Sequence, residues 1–478
     1  MRELNGYVLP SVLIISTVML LGVSGIFILW ENVDTLTAGS VSRTQHLLNI
    51  ESALTVYCCD SAVIRRISED HILKLYEDRE DAGVKIEVEP IGLYELVTLS
   101  CVREKERYIV GLEKVWTDTA TLYVSDDGRP LSLAGNTNIR GKVYVPEPGI
   151  NYTQVRAQYF AGEKMNTGKI AASGKALPDV RPEIAGRVRD ILSLHTPLQE
   201  WLYVDKSMRL EDTILAARSI EIEDGFCGSV QLYATDTVIV GCGVQLKYPS
   251  GIFLTGDNPD RLVVIHGNTT INGYVVVGEC ETMQEDFRAN YVQYPGSIVR
   301  GCVYVDGIVE AKGIVSGILL ADKCFVFTDE GRYNATICGL QIIPNRHMAA
   351  PFLLSESGSR RRPVKKLRLN ARRELPGSTL VEVIVSSLIM LLVFVLTMEV
   401  LSEILFHRVP VTDFIAAENA MKAELLKHHE PGISGCAFEW GELSVMTKNY
   451  SPGLLQTDVR ATLVKNGKTL SLRKISEL

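Results

Sequence analysis

Two hydrophobic patterns divide this chain. Tyr7 to Trp30 and Val383 to Met398 are apolar at nearly every position, whereas most of the sequence between them places apolar residues at every second position, interrupted by Gly, Asp or Asn. An uncharged run as long as Tyr7 to Trp30, at about 1.5 Å per residue as a helix, is long enough to cross a bilayer core of about 30 Å. Alternation with period two predicts strands buried on one face. The expected fold is therefore mainly β with long membrane helices at residues 1–30 and 378–430, the second continuing into a stalk.

Between and around those runs the pattern changes several times. Residues 31–83 keep apolar residues at helical spacing (Leu47, Leu48, Ile50, Leu54, Val56, Tyr57) and predict a helical stalk. Residues 84–133 carry short β-rich runs and a turn at Asp126-Asp127-Gly128, which predicts a small antiparallel sheet. Residues 431–478 predict another, with Asn466-Gly467 as a hairpin turn. The centre repeats itself: Asn136-Thr-Asn-Ile-Arg-Gly-Lys-Val-Tyr-Val145 recurs as Asn268-Thr-Thr-Ile-Asn-Gly-Tyr-Val-Val-Val277 and as Gly296-Ser-Ile-Val-Arg-Gly-Cys-Val-Tyr-Val305. Each copy has a β-branched residue two places before a Gly and alternating residues after it. Self-similarity of this kind predicts a β-solenoid over residues 134–345, with an insertion at 161–215 that contains a helix at Pro182 to Leu194. Cys280, Cys302 and Cys324 recur at a constant interval and read as small buried hydrophobes stacked from coil to coil. Trp201 and Tyr203 either line a groove or are buried. Residues 355–377 are a basic linker.

Charge and cysteine usage narrow the function. A net charge of -8 excludes a general nucleic-acid surface. The cysteines show neither CxxC nor a Cys/His cluster of zinc spacing, so neither a metal nor another cofactor is expected. There is no GxxxxGK[ST], GxSxG or HExxH. Arg300, Asp306 and Asp322 have the residue types of a polysaccharide lyase or hydrolase, but ordinary turn chemistry accounts for them, and the chain is not expected to be an enzyme.

The most informative motif is Glu374-Leu-Pro-Gly-Ser-Thr-Leu-Val-Glu382, preceded by the basic tract Arg360 to Arg373 and followed by the second apolar run. It resembles the prepilin signal of type IV pilins and type II secretion pseudopilins. The resemblance implies cleavage after Gly377 by a prepilin peptidase, methylation of Ser378, and pairing of Glu382 with the N-terminus of a neighbouring subunit. A carboxylate within a membrane helix fits such a pairing, because unpaired it is expensive. Gly6 resembles a second, degenerate start, with Leu9 matching Leu380 but Ser11 in place of the acid. The implied C-terminal domain is pilin-like α+β, the partners are a membrane, the peptidase and other pilin-like subunits, and the location is a bacterial inner membrane with the β-rich part periplasmic or exported. The glycine-valine repeat resembles that of bactofilins, and of solenoid polysaccharide lyases and adhesins. Three functions follow: a structural subunit of a secretion or surface filament, a membrane-tethered solenoid scaffold, or a solenoid that binds or cuts a surface glycan. The two starts conflict, because positive residues prefer the inner side and Arg360 to Arg373 then places the solenoid opposite to where the first segment would put it.

Overall fold

The computed structural model describes residues 41–59, 71–76, 83–102, 104–116, 120–195, 197–278, 288–345, 348–355, 360–367, 411–427, 430–464 and 467–477, with residues 17, 20, 22, 24 and 25 near the N-terminus. The chain divides into two units, the first comprising residues 1–86, 98–106 and 368–478 and the second residues 87–97 and 107–367.

The first helix, α1, covers residues 41–59. It buries Ile50, Ala53, Leu54 and Tyr57, the spacing of one helical face. After it come β1 (Ile72–Lys74), β2 (Gly83–Ile91), β3 (Tyr94–Cys101) and β4 (Glu104–Leu112), neighbours in that order in one sheet.

The second unit is a stack of parallel coils. Its strands are β5 (Ala120–Val124), β6 (Lys142–Val145), β7 (Ile170–Ala172), β8 (Trp201–Val204), β9 (Thr213–Ile222), β10 (Val230–Val240), β11 (Gln245–Leu254), β12 (Leu262–Ile265), β13 (Thr270–Val277), β14 (Tyr291–Gln293), β15 (Ile298–Ala311) and β16 (Ile314–Cys324). Their order along the stack is β7-β6-β5-β16-β15-β13-β11-β10-β9-β8. The chain thus lays β5 to β7 outward from the middle, passes through helix α2 (Pro182–Leu194) to the far end at β8, and winds back until β16 pairs with β5, Leu319 beside Leu122. β10 and β15 are long enough to pair on two sides, so β10, β11, β13, β15, β14 and β12 close a ring of six parallel pairings. The interior is a continuous column of aliphatic side chains that includes Leu122, Val143, Ile220, Val238, Ile252, Val275, Val303 and Leu319. Burial of each contributes about 1.5–3 kcal/mol.

The repeated glycine has a specific cause. Gly273, Gly301 and Gly317 lie beside one another on β13, β15 and β16. Gly301 has φ +135°, and a Cβ there would stand 1.8 Å from the carbonyl oxygen of Gly273; Gly317, at φ +148°, meets Gly301 the same way. Neighbouring coils approach too closely for any side chain at this corner. The cysteine interval has no such meaning. Cys302 pairs with Ile318 and Cys324 with Val309, so the two do not stack; each is buried, while Cys280 lies outside the described residues.

Part of the basic tract is structural. Arg361–Leu367 forms β17, antiparallel to β4, and Arg361 meets Glu95 at 3.0 Å with both side chains largely buried. Arg361 and Arg181 both stand over the ring of Phe352.

The C-terminal part of the first unit is helix α3 (Val411–Leu425) on a four-stranded antiparallel sheet, β18 (Gly432–Phe438), β19 (Gly441–Ser451), β20 (Leu454–Leu463) and β21 (Thr469–Glu477). Phe414, Ala417, Met421 and Leu425 pack on Leu443, Val445, Val459, Ala461 and Leu472, with Val41 and Leu48 of α1 against the same cluster.

These observations correct the expected fold class and location. The described residues are mainly β, about 53% of them in strands, with a closed ring of parallel strands in the second unit, not a body hung on long membrane helices. No helix among the described residues is long and apolar enough to cross a membrane, which overturns the expected transmembrane, pilin-like character and the inner-membrane anchor. The described helices α1 and α3 are short and spend one face on neighbouring side chains instead of being apolar all round. Residues 378–410, and most of 1–30, lie outside the described residues.

Candidate functional site

A groove of about 790 Å³ in the second unit crosses β15, β16, β5 and β6 and reaches the start of β7. Its floor follows the stack. Gly301 of β15 lies beside Gly317 of β16, and the residue after Gly317, Ile318, continues the register in which Leu319 pairs with Leu122 of β5. Ala120 of β5 pairs with Lys142 of β6, and Lys142 precedes the Val143 that pairs with Ile170 of β7, which places Lys169 beside Lys142. Four steps between coils, at roughly 4.8 Å each, make a trough roughly 19 Å long that runs along the stack.

Its walls carry a consistent charge. Among the described residues Lys114, Arg140, Lys142 and Lys169 line it, against the single carboxylate of Glu113. Lys114, Arg140 and Lys169 are exposed and Lys142 is half-buried. The Lys142 ammonium donates to the Tyr144 hydroxyl at 2.9 Å and stands 4.8 Å above that ring. Trp116 forms the aromatic wall, edge-on to Tyr123 and Tyr144 at 5.5 and 4.9 Å between ring centres, while these two tyrosines stack on adjacent coils. This brace fixes the indole. The pocket opposes four cations to one anion in a chain whose net charge is -8.

The residues expected from sequence to act do not meet here. Gly6, Gly377, Ser378 and Glu382 lie outside the described residues. Arg300 is exposed and donates to the Asn272 side chain at 3.3 Å, one rung in a row of Asn272, Arg300 and Ser316. Asp306 is six residues further along β15, roughly 20 Å if extended, and its backbone oxygen accepts from the buried Arg261. Asp322, near the end of β16, follows the Ala321 that pairs with Val305 of β15. Arg300 and the two acids therefore do not converge. Trp201 and Tyr203 are each 47% exposed on β8, at the other end of the strand order from Lys142 and Lys169. No group of three or more His, Cys, Asp or Glu among the described residues could hold a metal. The groove itself escaped sequence reasoning, although Arg140-Gly141-Lys142 carried a signal: it is the copy of the repeat with a cation on both sides of the glycine.

The buried thiols are not reactive groups. Desolvation pushes Cys324 up to about 12 and raises Cys302 further in the same direction, so both stay protonated at neutral pH.

A second feature lies in the first unit, at the edges of the β18–β21 sheet. Gln45 of α1 donates its amide to the Arg473 carbonyl at 3.0 Å and accepts from the Arg473 N–H at 2.9 Å. Ser52 accepts from the Ile475 N–H at 2.9 Å. Helix side chains thus take the place of a further strand beside β21, supported by Lys474 and Glu51 at 2.9 Å. At the opposite edge β18 pairs, among the described residues, only with β19, and all seven of its residues are exposed. No protein-family model and no characterised protein matches the chain.

Proposed function

We propose that the protein is a non-enzymatic structural subunit that associates with a second copy of itself through β18. The observation that carries this reading is the contrast between the two edges of one sheet. β21 has its backbone groups satisfied by Gln45 and Ser52, while β18 (GISGCAF) carries no charge, no proline and an Ile433 that is 77% exposed. Edge strands that stay solitary are protected by charge, proline or a bulge, and one without these devices is a template for another strand. The small residues Ser434, Gly435, Cys436 and Ala437 at its centre allow close approach. Antiparallel pairing of β18 with its own copy is a closed two-fold arrangement that needs only this one surface.

Light scattering of the purified protein across a dilution series tests the reading, together with oxidation of the exposed Cys436, which self-pairing brings near its counterpart. A dimer that crosslinks through Cys436 and is lost in Ile433→Lys supports it. A monomer at every concentration, or a dimer indifferent to Ile433→Lys, refutes it.

A further inference from the structure

We infer that the groove of the second unit binds an acidic carbohydrate chain, its carboxylates received by Lys114, Arg140, Lys142 and Lys169 and its sugar faces lying against Trp116. This inference is independent of self-association through β18.

Three observations converge on the ligand. The first is charge: among the described residues the walls oppose four cations to one carboxylate, on a chain whose net charge is -8, so the groove favours an anion. The second is shape. The trough runs along the stack for roughly 19 Å, long enough for several repeating units of a chain, and Gly301, Gly317 and Gly141 place bare backbone along part of its lining. The third is the aromatic wall. Trp116 is held by Tyr123 and Tyr144 and presents a rigid apolar surface beside a row of donors, which matches a sugar ring with its apolar face and polar rim.

The same observations argue against the other polyanions. A single-stranded nucleic acid takes successive bases onto successive aromatic side chains, and Trp116 is the one aromatic side chain among the described residues of this groove. A small phosphate would use one cluster of donors, whereas Lys114, Arg140, Lys142 and Lys169 are distributed over the wall segment, the β6 corner and the next coil. Among the described residues the lining holds one carboxylate and not the pair that glycoside hydrolysis requires, so the predicted event is binding without cleavage. The cations, and not Asp306 or Asp322, define the site.

The test is calorimetric titration of the full chain at low ionic strength with a polygalacturonate fragment, beside a neutral maltooligosaccharide and a single-stranded DNA. The expected result is saturable binding of the uronate that weakens as salt rises, no binding of the neutral chain, and weaker binding of DNA. Arg140→Gln combined with Lys169→Gln, both exposed positions whose change leaves the fold intact, is expected to weaken uronate binding about tenfold or more with an unchanged melting curve. Trp116→Leu is expected to weaken it while leaving the salt dependence as it was. Failure of the uronate to bind, equal binding of the neutral chain, DNA binding as tightly as uronate, or binding indifferent to Arg140→Gln with Lys169→Gln would each overturn the inference.

Discussion

The two units solve the problem of unpaired strand edges in opposite ways. In the second, every coil of the stack is edge partner to the next, so backbone pairing is satisfied by repetition and only β7 and β8 end the row. In the first, the β18–β21 sheet is short and antiparallel, and its edges are finished individually, by the side chains of Gln45 and Ser52 at β21 and by nothing from the described residues at β18. The lesson is that a repeated backbone geometry makes the stack intolerant at one residue type, whereas the meanders depend on a few side chains remote in sequence. Gln45 reaches a partner 428 residues away.

This contrast can be broken at its strongest point by adding a side chain to the glycine corner. Gly301→Val is expected to remove at least about 3 kcal/mol, because its Cβ would overlap the Gly273 carbonyl and φ is in the left-handed half of the map. A thermal or urea melt with a probe in the second unit checks this, and a transition like that of the unmodified protein would show that the coils can move apart. Leu319→Ala, in the column where the last-laid coil meets the first, is expected to cost about 2–5 kcal/mol by the same measurement.

Smaller effects sharpen the other side. Gln45→Ala leaves one carbonyl and one N–H of Arg473 without their partner and is expected to cost about 1–3 kcal/mol. Hydrogen exchange at Arg473 and Ile475 should speed up in that variant while the second unit keeps its protection; uniform protection would show that the helix is not what closes this edge.

The mildest test uses pH. Burial raises the Cys324 thiol to about 12 and Tyr76 of the first unit to about 12. A group that ionises more readily unfolded than folded contributes stability that is complete below its unfolded pKa and fades as pH rises through the folded one. Both units should therefore lose stability between about pH 9 and 12, the Cys324 part beginning first because its ordinary value is 9.0 against 10.0 for tyrosine. Stability that is flat over this window would contradict their burial.

Much of the local order is visible in the residues. The helical spacing of Ile50, Leu54 and Tyr57 marks α1, and Asn268 to Val277 and Gly296 to Val305 declare parallel neighbours that meet rung for rung, Gly273 beside Gly301. The uniform cysteine interval misleads, because the coils differ in length: Thr270 pairs with Ile298 but Ile298 pairs with Ile314. The groove is hard to read along the chain because its cations, Lys114, then Arg140 with Lys142, then Lys169, come from three separate stretches.

Periodicity and the repeated glycine sufficed to establish that strands dominate and where neighbouring coils touch, since those properties depend on residues close together and on backbone sterics that composition alone reveals. The order of the coils, the return of β16 onto β5, the clasp of Gln45 on β21 and the gathering of four cations around one trough arise from contacts between distant segments. Pairing energies of that kind are set by which surfaces remain to be buried once each local element has formed, and no local pattern records them.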